Sequence, residues 1–336
     1  MNIQQLLKGT TAGRIQQVGY MSMIPILKNS EEQDERICDP TKILLGTQNY
    51  GSMDMENPTD RIGILPFGSA IMTKQAAQNH ATPKAKLLRS KSRDHVDYAA
   101  CIQETQGGLI NKGEHELSIL PWCLKEHCLK SRNQREYSKL WPALREFNKS
   151  LGVRVTGHLE IYLQEFKDDL DTFIAQFEIV PGQVGAFILI DGHVMGIELT
   201  PNYQYFKAVW KPLIRESYGS LVLQYIKQFG KDAPVPRTRL PLNTNVHSLE
   251  DLQKELVSTQ QAEDDKIKDI IRKFVKDDFK AELEEIIADY KVETITNKQF
   301  TGQVVKKGDE TSYISLVTTA NGLKNQKSYE KAGFTI

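Results

Sequence analysis

The chain has 336 residues, of which 40% are hydrophobic and 26% charged, and its 43 basic side chains balance 43 acidic ones. This balance excludes a general electrostatic attraction to nucleic acids or membranes, so any anion-binding site has to be local. The four cysteines are too few for a disulfide-stabilised scaffold, and neither a signal-peptide pattern nor an apolar run of membrane-spanning length is present. We therefore expect a soluble cytoplasmic protein with reduced thiols and no membrane partner.

Short apolar segments predict strands in the first part of the chain. They cover residues 19–27, 42–50 and 61–72, and Pro66 indicates that the third strand is bent or lies at a sheet edge. Residues 73–98 contain six Lys or Arg side chains and little periodic apolar character. This composition predicts a basic, flexible insertion loop.

The middle of the chain predicts one strand and then helices. Residues 115–121 alternate polar and apolar side chains as a half-buried strand does, and residues 125–137 form a polar segment without a predicted element. A helix is predicted over residues 140–151, with Gly152 just beyond its end. From residue 159 to 177, apolar side chains recur every three or four positions, which predicts a longer amphipathic helix.

The most apolar stretch of the chain predicts a central β-hairpin. Apolar runs flank Asp191 and Gly192, and an Asp-Gly pair accepts the positive φ angles of a type I′ turn. Because these runs do not alternate with charged residues, we expect both faces of the hairpin to be covered. Thr200 and Pro201 then predict the start of a helix, in which Pro212 is expected to cause a kink.

The last third of the chain predicts a linker, helices and closing strands. Residues 231–247 contain three prolines and form a linker-like crossing, and a long helix is predicted from about Ala262 to Tyr290. The segments that follow alternate as strands. Together these elements predict one α+β domain over residues 1–336, with a largely antiparallel central sheet flanked by long amphipathic helices.

The sequence offers no recognisable metal or cofactor motif. Cysteines and histidines occur together between Cys101 and Cys128, but their spacing does not give the two close ligand pairs of a structural zinc site. No glycine-rich phosphate-binding motif is present. We expect neither a metal nor a cofactor.

The basic segment 73–98 is the clearest local electrostatic feature. Its Lys and Arg side chains are of the type that contacts phosphates. No aromatic residue interrupts it before Tyr98, so the stacking typical of single-strand binding is missing, and a nucleic-acid partner is not expected. A flexible, solvated loop is the alternative interpretation.

The hairpin and the helix after it resemble a known family. The sequences G-A-F-I-L-I-D-G-H-V-M-G-I-E-L (residues 185–199) and Y-F-K-A-V-W-K-P-L-I-R-E-S-Y (residues 205–218) are similar to a segment of the domain family named for its association with ADP-ribosylglycohydrolases and rhodanese-phosphatases. The residues that fit this pattern are Gly185, Gly192, Gly196, Phe206, Trp210, Leu213, Arg215 and Tyr218.

The resemblance extends to two further segments. Residues 62–79 resemble a strand of the family with its Gly-x-Lys-Gln-Asn segment, and residues 99–104 resemble its Cys-x-Glu strand end. Gln103 stands where the family usually has Glu, and residues 105–109 replace the Arg-Trp pair that normally follows. The closing strands of the chain are similar to the final hairpin of the family.

The resemblance implies a setting in ADP-ribose or NAD-derived nucleotide metabolism, or in a bacterial or phage conflict system. Together with the basic segment, it predicts a non-catalytic accessory or ligand-binding protein that recognises an ADP-ribose-like or other phosphorylated nucleotide. The predicted ligand-binding residues are Lys74, Gln75, Gln78, Asn79, Cys101, Gln103 and Glu104.

Two other functions remain open. A nucleotide-processing hydrolase would use Glu104 as a catalytic residue, together with Cys101 or a neighbouring histidine. A structural or assembly protein would instead bind a protein partner, or form a stable homo-oligomer, without any ligand.

Overall fold

The computed structural model describes residues 1–73, 78–104, 107–230, 248–274 and 277–325. The predicted linker-like crossing at residues 231–247 lies outside the described residues.

The strands are, in chain order, β1 (Thr11–Ala12), β2 (Gln16–Val18), β3 (Met21–Leu27), β4 (Ile37–Cys38), β5 (Leu44–Gly46), β6 (Met53–Asn57), β7 (Ile62–Leu65), β8 (Ser69–Met72), β9 (His80–Ala81), β10 (Lys86–Leu88), β11 (Ser92–Val96), β12 (Ala100–Cys101), β13 (Glu116–Ile119), β14 (Gln183–Ile190), β15 (His193–Leu199), β16 (Lys280–Ile287), β17 (Tyr290–Thr296), β18 (Phe300–Lys307) and β19 (Glu310–Thr318).

The helices are α1 (Ile3–Leu6), α2 (Trp122–Ser131), α3 (Trp141–Leu151), α4 (Glu160–Glu165), α5 (Lys167–Ile174), α6 (Tyr203–Trp210), α7 (Gly219–Phe229), α8 (Leu249–Phe274) and α9 (Ala320–Asn325). A π-helical segment, Lys211–Tyr218, joins α6 to α7.

The chain has the predicted α+β fold with a large antiparallel sheet. In the described part of the chain this sheet has nine strands in the order β1-β3-β14-β15-β19-β18-β17-β16, with β2 also paired to β3. The hairpin β14–β15 therefore lies inside the sheet, as expected. Asp191 and Gly192 form its turn with φ angles of 48° and 81°, which is the geometry that an Asp-Gly pair favours.

Both faces of the central hairpin are covered, which confirms the expectation from its apolar runs. Ile188 and Ile190 belong to the main hydrophobic core, which also contains side chains of α2, α3, α5, α6 and α7. Phe187 and Leu189 point to a second core on the opposite face, where α1 packs. This alternation follows from the two-residue period of a strand.

Three smaller sheets are built mainly from the first part of the chain. Their strand orders are β10-β7-β4, β11-β6-β5 and β12-β9-β8-β13. The strand predicted over residues 61–72 is divided into β7 and β8, with Pro66 and Gly68 between them. Gly68 has a φ of 73°, which is the left-handed conformation that glycine accepts without strain.

Several predicted helices differ in their bounds. The helix at residues 140–151 is confirmed, and Gly152 ends it with a φ of 70°. The helix predicted over residues 159–177 is two short helices, α4 and α5. Long flanking helices were predicted, but apart from α8 and the continuous stretch from α6 to α7 the described α-helices have at most 11 residues.

The helix after the hairpin begins later than predicted. The side chain of Asn202 accepts a hydrogen bond from the backbone N–H of Tyr205 and so caps α6. Thr200 instead donates its hydroxyl hydrogen to the carbonyl of Val184 at 2.7 Å. Pro212, where a kink was expected, lies in the π-helical segment.

The C-terminal part of the helix predicted to reach Tyr290 is wrong. Helix α8 ends at Phe274, and residues 280–296 form the hairpin β16–β17. A β-bulge between Leu283 and Glu285 interrupts the two-residue period of β16. Because a bulge adds one residue to a strand, the apolar positions acquire a three-residue spacing that resembles a helix.

The polar segment at residues 125–137 overlaps an unpredicted helix, α2, which begins at Trp122. Lys125 occupies one of its inward positions with no exposed surface, and its Nζ lies 3.0 Å from a carboxylate oxygen of Glu198. A charged residue at an inward position removes the apolar signal on which the sequence prediction depends.

The basic segment 73–98 is not an exposed loop where it is described. It forms β9, β10 and β11, which pair with β8, β7 and β6. Lys84 forms an ion pair with Glu284, and Lys86 forms one with Glu285. The sequence predicted a solvated segment because the pattern of neighbouring residues does not show acidic partners that are distant in the sequence.

Candidate functional site

Two strand ends bring together most of the described residues that were predicted to bind a ligand. Strands β9 and β12 are neighbours, with Cys101 opposite His80. The backbone N–H of Ile102 donates to the carbonyl of Asn79 at 2.9 Å, and the N–H of Asn79 donates to Oε1 of Gln103 at 3.2 Å. Antiparallel pairing therefore places the residues before β9 beside those after β12.

Of the predicted ligand-binding residues, Lys74 and Gln75 lie outside the described residues. The five others, Gln78, Asn79, Cys101, Gln103 and Glu104, are described and are close together through this pairing.

We call Gln78, Asn79, Gln103, Glu104 and Glu160 the polar cluster. Asn79 is 2% exposed, and its side-chain amide donates to Oε2 of Glu160 at 2.7 Å. Gln78 is 1% exposed, and among the described residues its Oε1 has no hydrogen-bond partner. Because an unpaired buried carbonyl costs about 1–3 kcal/mol, this oxygen is a candidate to accept a hydrogen bond from a ligand.

Glu104 is held as an anion. It forms an ion pair with Arg145, and its Oε2 accepts a hydrogen bond from the backbone N–H of Gly157 at 2.7 Å. The hydrogen bond from Arg145, followed by that from Gly157, lowers the pKa of the Glu104 carboxyl. Glu104 is therefore unsuited to donate a proton near neutral pH.

Gly157 is required where the loop after α3 meets this carboxylate. A Cβ atom at Gly157 would lie 3.1 Å from Cβ of Glu104 and 3.1 Å from the Trp141 ring. This is closer than most van der Waals contacts, so a side chain would push Glu104 and Trp141 apart.

Cys101 is poorly suited to act as a nucleophile. Its side chain has no exposed surface, and its Sγ donates to the carbonyl of Gln103 at 3.0 Å. Burial raises the pKa of the Cys101 thiol. Because the thiolate is the reactive form, this position favours packing over covalent catalysis.

His80, which was not predicted as a site residue, connects the loop at Gly51 to the polar cluster through hydrogen bonds. Its Nε2 accepts a hydrogen bond from the backbone N–H of Gly51 at 3.0 Å, so Nδ1 carries the proton and donates to the carbonyl of Gln78 at 2.8 Å. Burial lowers the pKa of His80. The neutral imidazole thus links Gly51 to Gln78.

An aromatic row lies beside the polar cluster. It consists of Tyr50, Tyr137 and Trp141, with ring centroids 5.7 Å apart for the first pair and 5.6 Å for the second. Tyr50 and Tyr137 are 41% and 36% exposed. The carbonyl of Tyr137 accepts the N–H of Cys101 at 2.7 Å, which joins the row to β12. Exposed aromatic rings next to polar groups can stack on a nucleobase.

Sequence reasoning missed the aromatic row, Arg145 and Glu160. The four-residue spacing of Trp141 and Arg145 was the available signal, because residues at this spacing share one face of a helix. Tyr137 lies in the turn before α3. Nothing in the sequence connected them with residues 78–104, from which they are separated by other elements.

Glu198, an acidic residue of the central hairpin, lies in the core and outside this site. Glu198 of β15 accepts hydrogen bonds from Lys125 and from the Tyr218 hydroxyl at 3.0 and 2.7 Å. A Cβ atom at Gly196 would overlap the Tyr218 hydroxyl. Gly196 and Tyr218, two residues of the family pattern, therefore act together in the packing of the sheet.

Two features are absent from the described residues. Within those ranges, His, Cys, Asp and Glu side chains form no group of three or more suited to a metal ion. None of the described helices has the length and apolar composition needed to cross a membrane.

Comparison with known proteins gives one result. No curated protein and no solved structure matches the chain. A family model, that of the ARG and Rhodanese-Phosphatase-superfamily-associated Protein domain, matches residues 9–303. This match includes the central hairpin, the polar cluster and the aromatic row. The chain therefore belongs to the ARG and Rhodanese-Phosphatase-superfamily-associated Protein domain family.

Proposed function

We propose that this protein is an accessory, ligand-binding member of its family and that the polar cluster and the aromatic row bind an ADP-ribose-like or NAD-derived nucleotide. One observation carries the proposal: His80 joins the loop that carries the exposed ring of Tyr50 to Gln78, through hydrogen bonds to the backbones of Gly51 and Gln78. The ring of Tyr137 lies against that of Tyr50, and the buried Oε1 of Gln78 is unpaired among the described residues. A nucleobase offers both a flat face for stacking and amino groups for such an acceptor.

Arg145 supplies the cation for a phosphate group in this proposal. Its side chain is 43% exposed and contacts Glu104 through Nε and one terminal nitrogen. A guanidinium has five N–H donors, so several remain for a phosphate oxygen. Lys84 and Lys86 of the basic segment are paired with acidic side chains.

The geometry favours binding over catalysis. Cys101 is buried as a thiol, and the Glu104 carboxylate is occupied by Arg145 and Gly157. A hydrolase based on these two residues would need an activated nucleophile or a general acid. The hydrolase alternative therefore has weaker support from their contacts.

Calorimetric titration with ADP-ribose, NAD and AMP tests the proposal. Tyr137→Ala should weaken binding by about tenfold or more, because stacking of a base on an aromatic ring contributes about 1–3 kcal/mol. Phe229→Ala is the matched control, since Phe229 is 44% exposed on α7. No heat change with any of the three nucleotides would refute the proposal.

An assembly role is the second candidate, and one observation favours it. Leu283 and Ile286 are 54% and 51% exposed on β16, the last strand in the order of the large sheet. Exposed apolar residues on a terminal strand favour pairing with a second copy of the chain. Light scattering without ligand tests this role, and a monomer at all concentrations would count against it.

A further inference from the structure

A cavity of about 330 Å³ lies against the face of α3 that points away from the polar cluster. Its lining includes Leu124, His127, Lys139, Ala143, Phe147 and Gln224. Trp141 and Arg145 lie on the other face of α3, since residues four apart share a face. The cavity is large enough for a small molecule and is separate from the proposed nucleotide site.

Lys139 contributes to this cavity a cation that forms no ion pair with the described residues. Its Nζ donates to the carbonyls of Tyr98 and Gln134 at 2.6 and 2.5 Å. An ammonium group has three N–H donors, and within the described ranges the third has no acceptor and no carboxylate lies at ion-pair distance. Burial lowers the pKa of Lys139 to about 8, as expected for a charge that is partly removed from water.

The remainder of the lining is apolar at its base, and its rim carries the carboxylate of Glu146, which is 74% exposed and lies 3.6 Å from Nζ of Lys149. Leu124 and Phe147 are 1% and 3% exposed, and they pack in the main hydrophobic core. Burial, and then the charge of Lys130, lower the pKa of His127, so that its imidazole is neutral at pH 7. The cavity thus combines one cation with an apolar floor.

We propose that this cavity is a second binding site, for a small monocarboxylate with an apolar tail. One carboxylate oxygen accepts the third N–H of Lys139, and the tail packs on Leu124 and Phe147. A phosphate monoester fits less well, because it carries up to two charges and needs several donors, whereas the described lining provides one cation with one unused N–H.

Calorimetric titration with hexanoate tests this site, with hexanamide as the neutral probe of the same shape. Hexanoate should bind at least tenfold more tightly than hexanamide at pH 7, and Lys139→Gln should remove this preference. Lys254→Gln is the matched control, because Lys254 is 71% exposed on α8, contacts Glu250 at 2.9 Å and does not line the cavity. Equal binding of both probes, or no binding of either, would overturn the proposal.

A second variant tests the cavity and leaves Lys139 in place, with its hydrogen bonds to the carbonyls of Tyr98 and Gln134. Ala143→Phe should fill the cavity and abolish hexanoate binding, while circular dichroism and the melting temperature report that the variant is folded. A folded Ala143→Phe variant with unchanged hexanoate affinity would also contradict the proposal.

The pH dependence gives an independent readout. Hexanoate affinity should fall as the pH rises through about 8, where the free protein loses the Lys139 ammonium. The other groups that act on Lys139 are Cys128, whose pKa burial raises to about 12, and the charged side chains of Glu136, Lys84 and Asp97. A flat affinity between pH 7 and 10 would contradict the proposal.

Discussion

Glu104 accepts hydrogen bonds from Arg145 and from the Gly157 backbone, and both favour its ionised form. Because its pKa is lowered in the folded protein, its contribution to stability is present above the unfolded pKa of about 4.3 and is lost as the pH falls through the lower folded value. Glu104→Gln should therefore lower the melting temperature by no more than about 2 °C at pH 7, since partly exposed ion pairs contribute little.

Thermal unfolding of the wild type and of Glu104→Gln from pH 7 to pH 3 measures this effect. The difference between the two proteins should shrink below about pH 4. A constant difference over the whole range would indicate that the charge of Glu104 is unimportant for stability. Hydrolysis of a nucleotide by the wild type and not by Glu104→Gln would instead support the hydrolase alternative.

Glu198 has the opposite environment, because it is 2% exposed and pairs with Lys125, which has no exposed surface. Removing one partner of a buried ion pair leaves an uncompensated charge and typically costs about 3–5 kcal/mol. We expect Glu198→Gln to lose about that much in urea unfolding. The double variant Lys125→Met/Glu198→Leu should recover most of the loss, and a double variant as unstable as the single one would refute this explanation.

Two glycines of the hairpin β14–β15 resist substitution for different physical reasons. Gly196 leaves no room for a Cβ atom beside the Tyr218 hydroxyl, whereas Gly192 in the turn has open space but a φ of 81°. Gly196→Ala should cost about 1–3 kcal/mol or more through overpacking, and Gly192→Ala about 1–2 kcal/mol through its left-handed backbone.

Urea unfolding distinguishes these two causes. The change Tyr218→Phe removes the hydroxyl, so it should relieve part of the cost of Gly196→Ala and none of the cost of Gly192→Ala. Equal relief in both backgrounds would show that the Tyr218 hydroxyl is not what excludes a side chain at Gly196.

Across the whole molecule, Glu284 connects segments that are distant in the sequence. Its carboxylate contacts Lys84, Arg132 and Thr294, and its side chain is 5% exposed. Glu284→Ala should therefore destabilise the protein by about 3 kcal/mol or more and increase hydrogen exchange in β10. The matched control is Glu282→Ala, because Glu282 is 63% exposed on the same strand.

Hydrogen exchange followed residue by residue measures this connection. Faster exchange in β10 for Glu284→Ala, with little change for Glu282→Ala, is the expected result. Similar exchange in both variants would mean that the ion pairs of Glu284 do not hold β10 against the large sheet.

The candidate site was partly predictable. The described residues Gln78, Asn79, Cys101, Gln103 and Glu104 followed from the family resemblance, and their proximity follows from the pairing of β9 with β12. Their roles in ligand binding stay a prediction. The aromatic row and the contact of Glu104 with α3 could not be predicted, because no local pattern shows which distant helix covers a strand end.

The sequence by itself determined the α+β class, the central hairpin and the family. These depend on local information: the Asp-Gly turn at residues 191–192, the apolar runs beside it, and a motif that can be compared directly. Only the tertiary structure decided where the charged side chains go. Lys125 and Glu198 are 73 positions apart and Lys84 and Glu284 are 200 apart. Because electrostatic attraction depends on distance in space, the sequence did not show which of these charged residues pair, whereas the fold brings the partners together.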